Sequence, residues 1–386
     1  MIISLDETQL QFRDMLRRYV AEAIPSVGAE QHDDAPIIAG LADLGVFGLA
    51  VHPDFGGFSG DPELIMIAAL ELGRKPMAAC RFQGVVMAAR LLMASATDHA
   101  REQLECIVAG TARVAWAGAE MAVNGDWLAP VPDASAPVAT VTAAGFEISG
   151  RVLGVIGGNT ASLLLVLAQL DGEPAVFAVD PSAIGAVLRR YSLIDGTGAA
   201  DVLLEQVVVG MDALLLSGPL ARMAVEEAMN YGLMSVCAEA VGCAEQAVSL
   251  ARDYLGLREQ FGKPLSQFQA LQHQVADMFI AADDARSAVY GAASALRAGG
   301  AAATAAASAC KYKVMEVALR VTGQALHLHG GIGFTTEYAI GHHFRRAAVD
   351  QAVLGGREYH FARYRHASAR KIAEQAATTV AMECTA

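Results

Sequence analysis

The sequence predicts a mainly helical protein with a β-strand domain in its middle. Apolar side chains recur at helical spacing in residues 1–112 and again in residues 217–386. Between them, residues 113–216 alternate short β-branched runs with turn residues. Strands and helices therefore occupy separate parts of the chain, which argues against interleaved βαβ units and a Rossmann domain. A length of 386 residues predicts two or three domains, and the change of pattern favours three.

The first domain is predicted to consist of short helices. Ser4 followed by Glu7 forms a capping-box pattern at the start of the first helix. A loop rich in turn-forming residues is expected at 52–57. Four further helices are predicted at Pro36–Leu44, Pro62–Gly73, Met77–Ala96 and Asp98–Ala109.

The middle domain is predicted to be a small β-barrel or sandwich. Turn residues at 124–126, 144–145, 157–159 and 171–172 separate its strands. A unit of about 100 residues is an ordinary domain size. The predicted strands are Val138–Val141, Phe146–Ile148, Leu163–Leu167, Val176–Val179 and Val202–Leu204.

The last domain is predicted to be a bundle of long helices. The alanine-rich segment 299–309 is interpreted as a turn that leads into a helix, because the helical pattern resumes at once. The predicted helices cover residues 219–256, 266–298, 301–328 and 337–354, with a last helix after Tyr359.

The charge balance excludes one class of partner. The formal net charge is −13 and no basic stripe runs along the chain, so nucleic-acid binding is not expected. An acidic total still permits an anionic ligand, because a few local arginines are enough to bind phosphates. Hydrophobic residues make up 54% of the chain, which predicts extensive burial between helices, domains or subunits.

Cysteine usage and apolar runs bear on location. The six cysteines form no CxxC pair and none has zinc-ligand spacing, so we expect reduced thiols and no metal site. Asp6 and Glu7 are not typical of a signal peptide. The longest strongly apolar run, Ala161–Leu167, is far shorter than the roughly 20 residues of a membrane helix. We therefore expect a soluble, cytoplasmic protein without a membrane span.

A loop between two predicted long helices carries the strongest functional pattern. Residues 254–278 read YLGLREQFGKPLSQFQALQHQVADM, with one helix ending near Leu257 and the next beginning near Ser266. An arginine at a helix end can hold two phosphate oxygens with its guanidinium fork, which makes Arg258 a candidate diphosphate ligand. On residue types alone, an ordinary interhelical turn with a surface arginine remains the alternative.

A glycine pair marks a second candidate segment. Residues 325–338 read ALHLHGGIGFTTEY, and adjacent glycines let a backbone approach a phosphate or ribose closely. A GGxG run alone is weak evidence. The two segments together, in this order and within a helix–strand–helix chain, resemble signature segments of the acyl-CoA dehydrogenase family, with His327 in place of the family's usual glutamine.

The resemblance implies an N-terminal helical domain, a β-barrel and a C-terminal four-helix bundle, with FAD bound between subunits. Arg258 would bind the diphosphate and Phe261 would line the same site. Phe268 and Gln269 would lie against the adenosine half, and His327, Gly330 and Gly331 would cover the diphosphate. For the histidines at 327 and 329, packing on the helix end is the alternative.

The catalytic base that the resemblance implies is absent. Family members use a glutamate to remove the α-proton of an acyl-CoA thioester while the β-hydrogen leaves as hydride to the flavin. The two positions at which members carry it are occupied here by Gly355 and Gly232. Such small residues, with Gly154, would leave room for a bulky acyl group. The neighbouring carboxylates that remain candidates are Glu226, Glu227, Glu239 and Asp350.

The strand domain also departs from the family pattern. Where members carry a Thr-Glu-Pro and Gly-Ser-Asp stretch against the flavin, residues 117–126 read AGAEMAVNGD. Where members have an aromatic residue followed by Ile-Thr, this chain has Gly154-Val155-Ile156. The side chains that would hold the flavin ring are therefore mostly missing.

This combination resembles the short subunits of bacterial heteromeric acyl-CoA dehydrogenases, including those that act on CoA thioesters of steroid side chains. The resemblance implies a partner subunit without its own base, in a tetramer with another chain of the same fold. It implies an acyl-CoA substrate and electron-transfer flavoprotein as electron acceptor. The alternatives are a self-sufficient homo-oligomeric enzyme with a displaced base, and a non-catalytic binding subunit that retains the fold.

Overall fold

The computed structural model describes residues 5–24, 35–75, 82–118 and 136–385, with side chains to residue 372. The helices are α1 (Glu7–Ala23), α2 (Ala35–Asp43), α3 (Pro62–Gly73), α4 (Phe82–Ala94), α5 (Asp98–Val108), α6 (Gly218–Leu257), α7 (Gln269–Ala298), α8 (Gly300–His329), α9 (Ala339–Ala352) and α10 (Arg357–Thr385). The strands are β1 (Val114–Ala117), β2 (Val138–Thr142), β3 (Gly145–Ile156), β4 (Leu163–Leu170), β5 (Glu173–Val179), β6 (Ala186–Ser192), β7 (Gly198–Val209), β8 (Leu214–Ser217), β9 (Glu259–Gln260) and β10 (Lys263–Pro264). The order of helices, sheet and long helices confirms the predicted fold class.

The first helix begins later than the sequence pattern predicts. Asp6 is its N-cap: the carboxylate accepts the backbone N–H of Gln9 at 2.8 Å, and the Gln9 side chain accepts the N–H of Asp6 at 3.1 Å. The predicted box at Ser4 and Glu7 is wrong, because Asp6 and Gln9 offer the same spacing two residues later. Ser4 lies outside the described residues, as does the start of the predicted helix 77–96.

The sheet domain forms around one connected set of strands. The order is β6-β7-β3-β2-β4-β5-β8, and β1 pairs with β4. Phe146 and Phe177 meet edge to face in its core, with ring centroids 5.2 Å apart. The sequence analysis did not predict β1, β6 and β8 of this sheet. The strands β1 and β8 have four residues each, and β6 is a largely exposed end strand that carries Arg189 and Arg190. Short or charged strands give little of the alternation on which the prediction relied.

The N-terminal domain packs directly on α6 through two glycines. A Cβ on Gly73 would lie 2.0 Å from the carbonyl oxygen of Glu239, and a Cβ on Gly242 would lie 2.0 Å from that of Leu70. The Cys243 thiol donates to the carbonyl of Gly73 at 3.0 Å. This close approach of two helix backbones requires glycine on both sides, and it holds α3 against the middle of α6.

The bundle is built around α6. The helices α6 and α8 run parallel, because Asn230 in the first half of α6 donates to Thr304 near the start of α8, and Tyr254 near the end of α6 stacks on His329 at the end of α8. Within the described ranges, α6 is the one helix long and apolar enough to cross a membrane by length and composition. Its most apolar stretch is 78% buried inside the protein, which is typical of a core helix.

A buried ion network joins the sheet domain to the bundle. The Arg346 side chain in α9 is fully buried, with Nε 3.0 Å from the carboxylate of Asp195 in the β6–β7 turn. One of its terminal nitrogens lies 2.7 Å from the carboxylate of Glu239 in α6. Burial opposes the charge of Arg346, but the two carboxylates raise its pKa, so the guanidinium is charged in the folded protein.

Candidate functional site

The loop after α6 is a tight β-hairpin. The N–H of Arg258 donates to the carbonyl of Tyr254 at 2.9 Å and ends the helix, and the Arg258 carbonyl accepts the N–H of Leu265 at 2.8 Å. The strands β9 and β10 pair across a turn at Phe261 and Gly262, whose φ angles are +54° and +77°. Two consecutive left-handed residues are the geometry of a two-residue hairpin turn, in which glycine or asparagine is usual and phenylalanine is rare.

The side chains of this hairpin face solvent. The Arg258 side chain is exposed and makes no hydrogen bond or ion pair with the residues that the structure describes. Phe261 is 90% exposed and meets Phe268 edge to face, with ring centroids 6.2 Å apart. The ammonium of Lys263 lies 4.2 Å from the centre of the Phe268 ring. An exposed aromatic ring on a rarely populated backbone conformation indicates a binding role, since such strain is costly to maintain.

The glycine loop leaves its backbone accessible. Gly330 ends α8 with φ +64°, and its N–H donates to the carbonyl of His327. A Cβ on Gly330 or Gly331 would have no neighbour within 4 Å, so the approach to this stretch of backbone is open. Gly333 is buried, and a Cβ there would lie 3.0 Å from the Leu326 side chain, which fixes the far end of the loop. His327 is exposed on the last turn of α8.

A ring stack brings the two predicted segments together. His329 is buried, and its ring stacks on that of Tyr254 with centroids 4.6 Å apart. Tyr338 adds a third ring, 5.0 Å from His329. Burial lowers the pKa of His329, and its Nδ1 donates to the carbonyl of Ala325 at 2.7 Å. His329 therefore follows the packing alternative, and the roles of Tyr254 and Tyr338 were missed because nothing in their local sequence distinguishes a packing tyrosine.

The two positions for the adenosine half lie at the start of α7. Gln269 is exposed and Phe268 is half-buried. Next to them, an apolar groove of about 740 Å³ begins between α6 and α7. Phe279 and Ile280 on its α7 side are 58% and 63% exposed.

Both expected base positions are filled by neighbouring side chains. A Cβ on Gly355, whose φ is +100°, would lie 2.6 Å from the ring of Tyr359 and 3.2 Å from Nε2 of His360. A Cβ on Gly232 would lie 2.6 Å from the sulfur of Met87. At neither position could a glutamate side chain be accommodated unless these neighbours moved. The expectation that these glycines leave space for a bulky acyl group is wrong at both positions, because side chains from other helices occupy that space.

The four alternative carboxylates are all engaged. Glu239 is buried and bound to Arg346, and Asp350 is buried on the same helix as Arg346. Glu226 accepts a hydrogen bond from Thr304 at 2.9 Å and pairs with Arg370. Glu227 lies 3.6 Å from Arg90. Glu239 and Glu226 are each held in an ion pair with an arginine, so neither carboxylate is free to face a substrate.

The part of the sheet domain that would face a flavin is described only in part. Residues 119–126, which belong to the stretch that departs from the family pattern, lie outside the described residues. At Gly154 the backbone has φ +66°, its N–H donates to the carboxylate of Asp201 at 3.1 Å, and a Cβ would meet nothing within 4 Å. This position offers backbone without the aromatic side chain of family members.

Metal chemistry has no candidate site in the ranges described. No group of three or more His, Cys, Asp or Glu side chains there is arranged to hold a metal ion. Two features at the end of the bundle where α6 and α8 finish could receive an anion: the exposed guanidinium of Arg258 and the open backbone at Gly330–Gly331. A cation and accessible backbone N–H groups are suited to a diphosphate, so the residues present are compatible with the diphosphate of FAD.

Family models match both helical domains. The model "Acyl-CoA dehydrogenase, N-terminal domain" matches residues 6–110, and "Acyl-CoA dehydrogenase, C-terminal domain" matches residues 222–378. The chain belongs to the acyl-CoA dehydrogenase family. Acyl-CoA dehydrogenases are flavin-dependent oxidoreductases that act on a carbon–carbon bond of an acyl-CoA, and the predicted family and enzyme class are confirmed.

Named relatives and solved structures match over most of the chain. The short-chain specific acyl-CoA dehydrogenase of Clostridium acetobutylicum is 24% identical over 377 residues, covering 93% of this chain and 97% of the relative. The caffeyl-CoA reductase-Etf complex subunit CarC of Acetobacterium woodii is 25% identical, covering 81% and 84%. A solved variant of the Tcur3481-Tcur3483 steroid ACAD is 27% identical with a TM-score of 0.83, covering 95% of this chain and 99% of that one.

Proposed function

We propose that this chain is a subunit of an FAD-dependent acyl-CoA dehydrogenase and that its bundle completes a cofactor site formed with a second chain. The observation that carries the proposal is the contrast between two sites in one chain. The diphosphate end offers open backbone at Gly330–Gly331 and an exposed Arg258 whose side chain has no partner in the part of the chain that the structure describes, whereas both base positions are glycines against which other side chains are packed. One half of a catalytic site is thus retained and the other half is lost.

Each retained residue has a specific role in the proposal. The Arg258 guanidinium binds the FAD diphosphate, and the backbone at Gly330–Gly331 approaches it from the other side. His327 donates a hydrogen bond to the same group, as the family's glutamine does. Phe261 lines the diphosphate site, and Phe268 with Gln269 lies against the adenosine half. When bound, the flavin supplies the hydride acceptor for desaturation of the thioester.

The second chain supplies what this chain lacks. We infer that it is another acyl-CoA dehydrogenase-like chain with an intact flavin pocket and a glutamate base, in a tetramer. The two-component name of the steroid ACAD that this chain resembles supports a heteromeric assembly and a bulky, ring-bearing acyl group. The Etf complex named for the Acetobacterium woodii relative supports electron-transfer flavoprotein as the redox partner, and in the oxidation proposed here that partner is the electron acceptor. The buried cysteines Cys237, Cys243 and Cys310 form no disulfide within the described residues, which is in keeping with a reducing cytoplasm.

Co-expression with a candidate partner chain tests the proposal. The assembly is expected to hold FAD and to have its flavin bleached by an acyl-CoA, whereas this chain alone holds none. Arg258→Ala is expected to lower the FAD content of the assembly without changing its mass. Arg252→Ala is the matched control, since Arg252 is another exposed arginine near the end of α6 and pairs with Asp253. A lone chain with one FAD per subunit that reacts with an acyl-CoA would contradict the proposal.

A further inference from the structure

The expected base positions on two different elements face the same space. Gly232 lies in the middle of α6, and Gly355 lies in the turn between α9 and α10. A Cβ on Gly232 would lie 3.1 Å from Cδ1 of Leu354, the residue before Gly355. A Cβ there would also lie 2.7 Å from Cγ of Met87, which projects from α4 and is 1% exposed. Met87 and Leu354 therefore occupy the volume into which a side chain at Gly232 would project.

The backbone of Leu354 is held in an unusual conformation. Its φ is +59°, in the left-handed region that residues other than glycine, asparagine and aspartate rarely adopt. Nε2 of His360 donates to the Leu354 carbonyl at 2.8 Å, so α10 fixes the turn from one side. Local strain of this kind persists where the surrounding contacts determine the conformation. The direction of the Leu354 side chain is thus set by the protein around it.

A buried lysine fixes the same turn from the other side. Lys311 of α8 is 2% exposed, and its ammonium donates to the carbonyls of Asp350 and Val353, the latter at 2.7 Å. The last carbonyls of a helix have no partner within the helix, so a buried ammonium at the end of α9 satisfies them. Lys311 and His360 together hold the turn in which Leu354 points toward Gly232.

We propose that Met87 and Leu354 form a plug that excludes the acyl chain of a CoA thioester from this subunit. This inference rests on the proposed function and deepens it, because it assigns acyl-CoA binding to the second chain alone. The assembly then binds one thioester for every two chains. The plug is set by side-chain packing, so its removal opens the space while the diphosphate end is untouched.

The occupied space can be tested by a double-mutant cycle in the co-expressed assembly. Gly232→Ala is expected to lower Tm, because the added methyl group collides with Met87. When Met87→Ala is combined with Gly232→Ala, at least half of the loss in Tm is expected to be recovered. Met93→Ala, on the same helix but in contact with the backbone of His52, is the matched control and should recover nothing. Equal recovery by both methionine variants would overturn the assignment of Met87.

Access to the space is tested by counting bound thioester. Equilibrium dialysis with octanoyl-CoA and with a steroid-carboxyl CoA thioester is expected to give one thioester for every two chains. The double variant Met87→Ala, Leu354→Gly is expected to bind more, and glycine at 354 also suits the positive φ. One thioester per chain in the unaltered assembly, or no gain in the double variant, would overturn the plug. FAD content, and its loss in Arg258→Ala, reports separately on the proposed function.

Discussion

The ring of His329 stacks on the ring of Tyr254, with centroids 4.6 Å apart and an angle of 27° between their planes. Tyr254 accepts the backbone hydrogen bond that ends α6 at Arg258, and His329 immediately precedes the Gly330–Gly331 pair. The stack thereby joins the helix end that precedes Arg258 to the helix end that precedes Gly330. His329 is buried, so its ring acts through the position of its neighbours.

We therefore predict that Tyr254→Ala weakens FAD binding by about tenfold, or ~1.4 kcal/mol, near the upper value for an aromatic pair. Flavin fluorescence during titration of the co-expressed assembly measures the dissociation constant. Tyr254→Phe keeps the stack and is the matched control, with affinity expected within about twofold of the unaltered assembly. Equal affinities for the alanine and phenylalanine variants would show that the stack does not position the site.

Phe261→Gly separates binding from backbone strain. Glycine adopts the φ of +54° without cost, so the hairpin is expected to become no less stable, and the unfolding midpoint should hold or rise slightly. FAD affinity is expected to fall, because the exposed ring is removed. The midpoint in urea and the FAD dissociation constant are the two measurements. Unchanged affinity would mean that Phe261 is not part of the cofactor site.

Arg346→Met is predicted to destabilise the protein by about 3–5 kcal/mol, the usual cost of leaving buried charges without their partner. Asp195 and Glu239 would both keep carboxylates in contact with the vacated guanidinium position. Urea unfolding followed by far-ultraviolet circular dichroism measures the change. Arg13→Met, which breaks an exposed pair with Asp14, is the control and should cost no more than about 1 kcal/mol. A loss as small as in the control would disprove the structural role of Arg346.

Two buried histidines predict a loss of stability in mild acid. Burial lowers the pKa of His343 and of His360 to about 3, from 6.5 when unfolded. The unfolded chain therefore binds more protons between pH 6.5 and 3, so the stabilisation is complete above pH 6.5 and is lost as pH falls toward 3. Each histidine contributes a slope of roughly 1.4 kcal/mol per pH unit in that window.

His343→Gln is expected to reduce the pH dependence of the free energy of unfolding by roughly 1.4 kcal/mol per pH unit, the contribution of one histidine. The free energy of unfolding in urea at pH 7, 6 and 5 gives the slope directly. The exposed His273, changed to Gln, is the control and should leave it unaltered. An identical pH dependence in both variants would mean that His343 takes up its proton without unfolding.

Long periodic segments made most of the fold predictable. The bounds of α3, α6 and α8 match the sequence patterns within about one residue, because an amphipathic or alanine-rich run of that length has few alternatives. The edge strand β6 and the short strands β1 and β8 were missed, since neither exposure nor a four-residue run leaves a clear alternation. These strands are specified by their partners in the sheet.

The sequence predicted which residues form the candidate site, but it did not predict which side chains pack around them. The sequence identified Arg258 and the glycine pair, and it identified glycine at both base positions. It predicted open space beside Gly232 and Gly355, but Met87 and Tyr359 come from distant or following helices whose packing no local pattern reveals. Side chains brought in by tertiary contacts decide whether a glycine marks a cavity or a close approach.

The parallel course of α6 and α8 has an electrostatic consequence for the diphosphate end. Both helices end there, so two partial negative charges of about half a unit each face the position proposed for an anion. The nearby first turns of α7 and α9 contribute partial positive charges of similar size, so the helix dipoles nearly cancel. The local potential is then set by formal side-chain charges of the hairpin, positive at Arg258 and Lys263 and negative at Glu259, and attraction of the diphosphate should weaken as ionic strength rises.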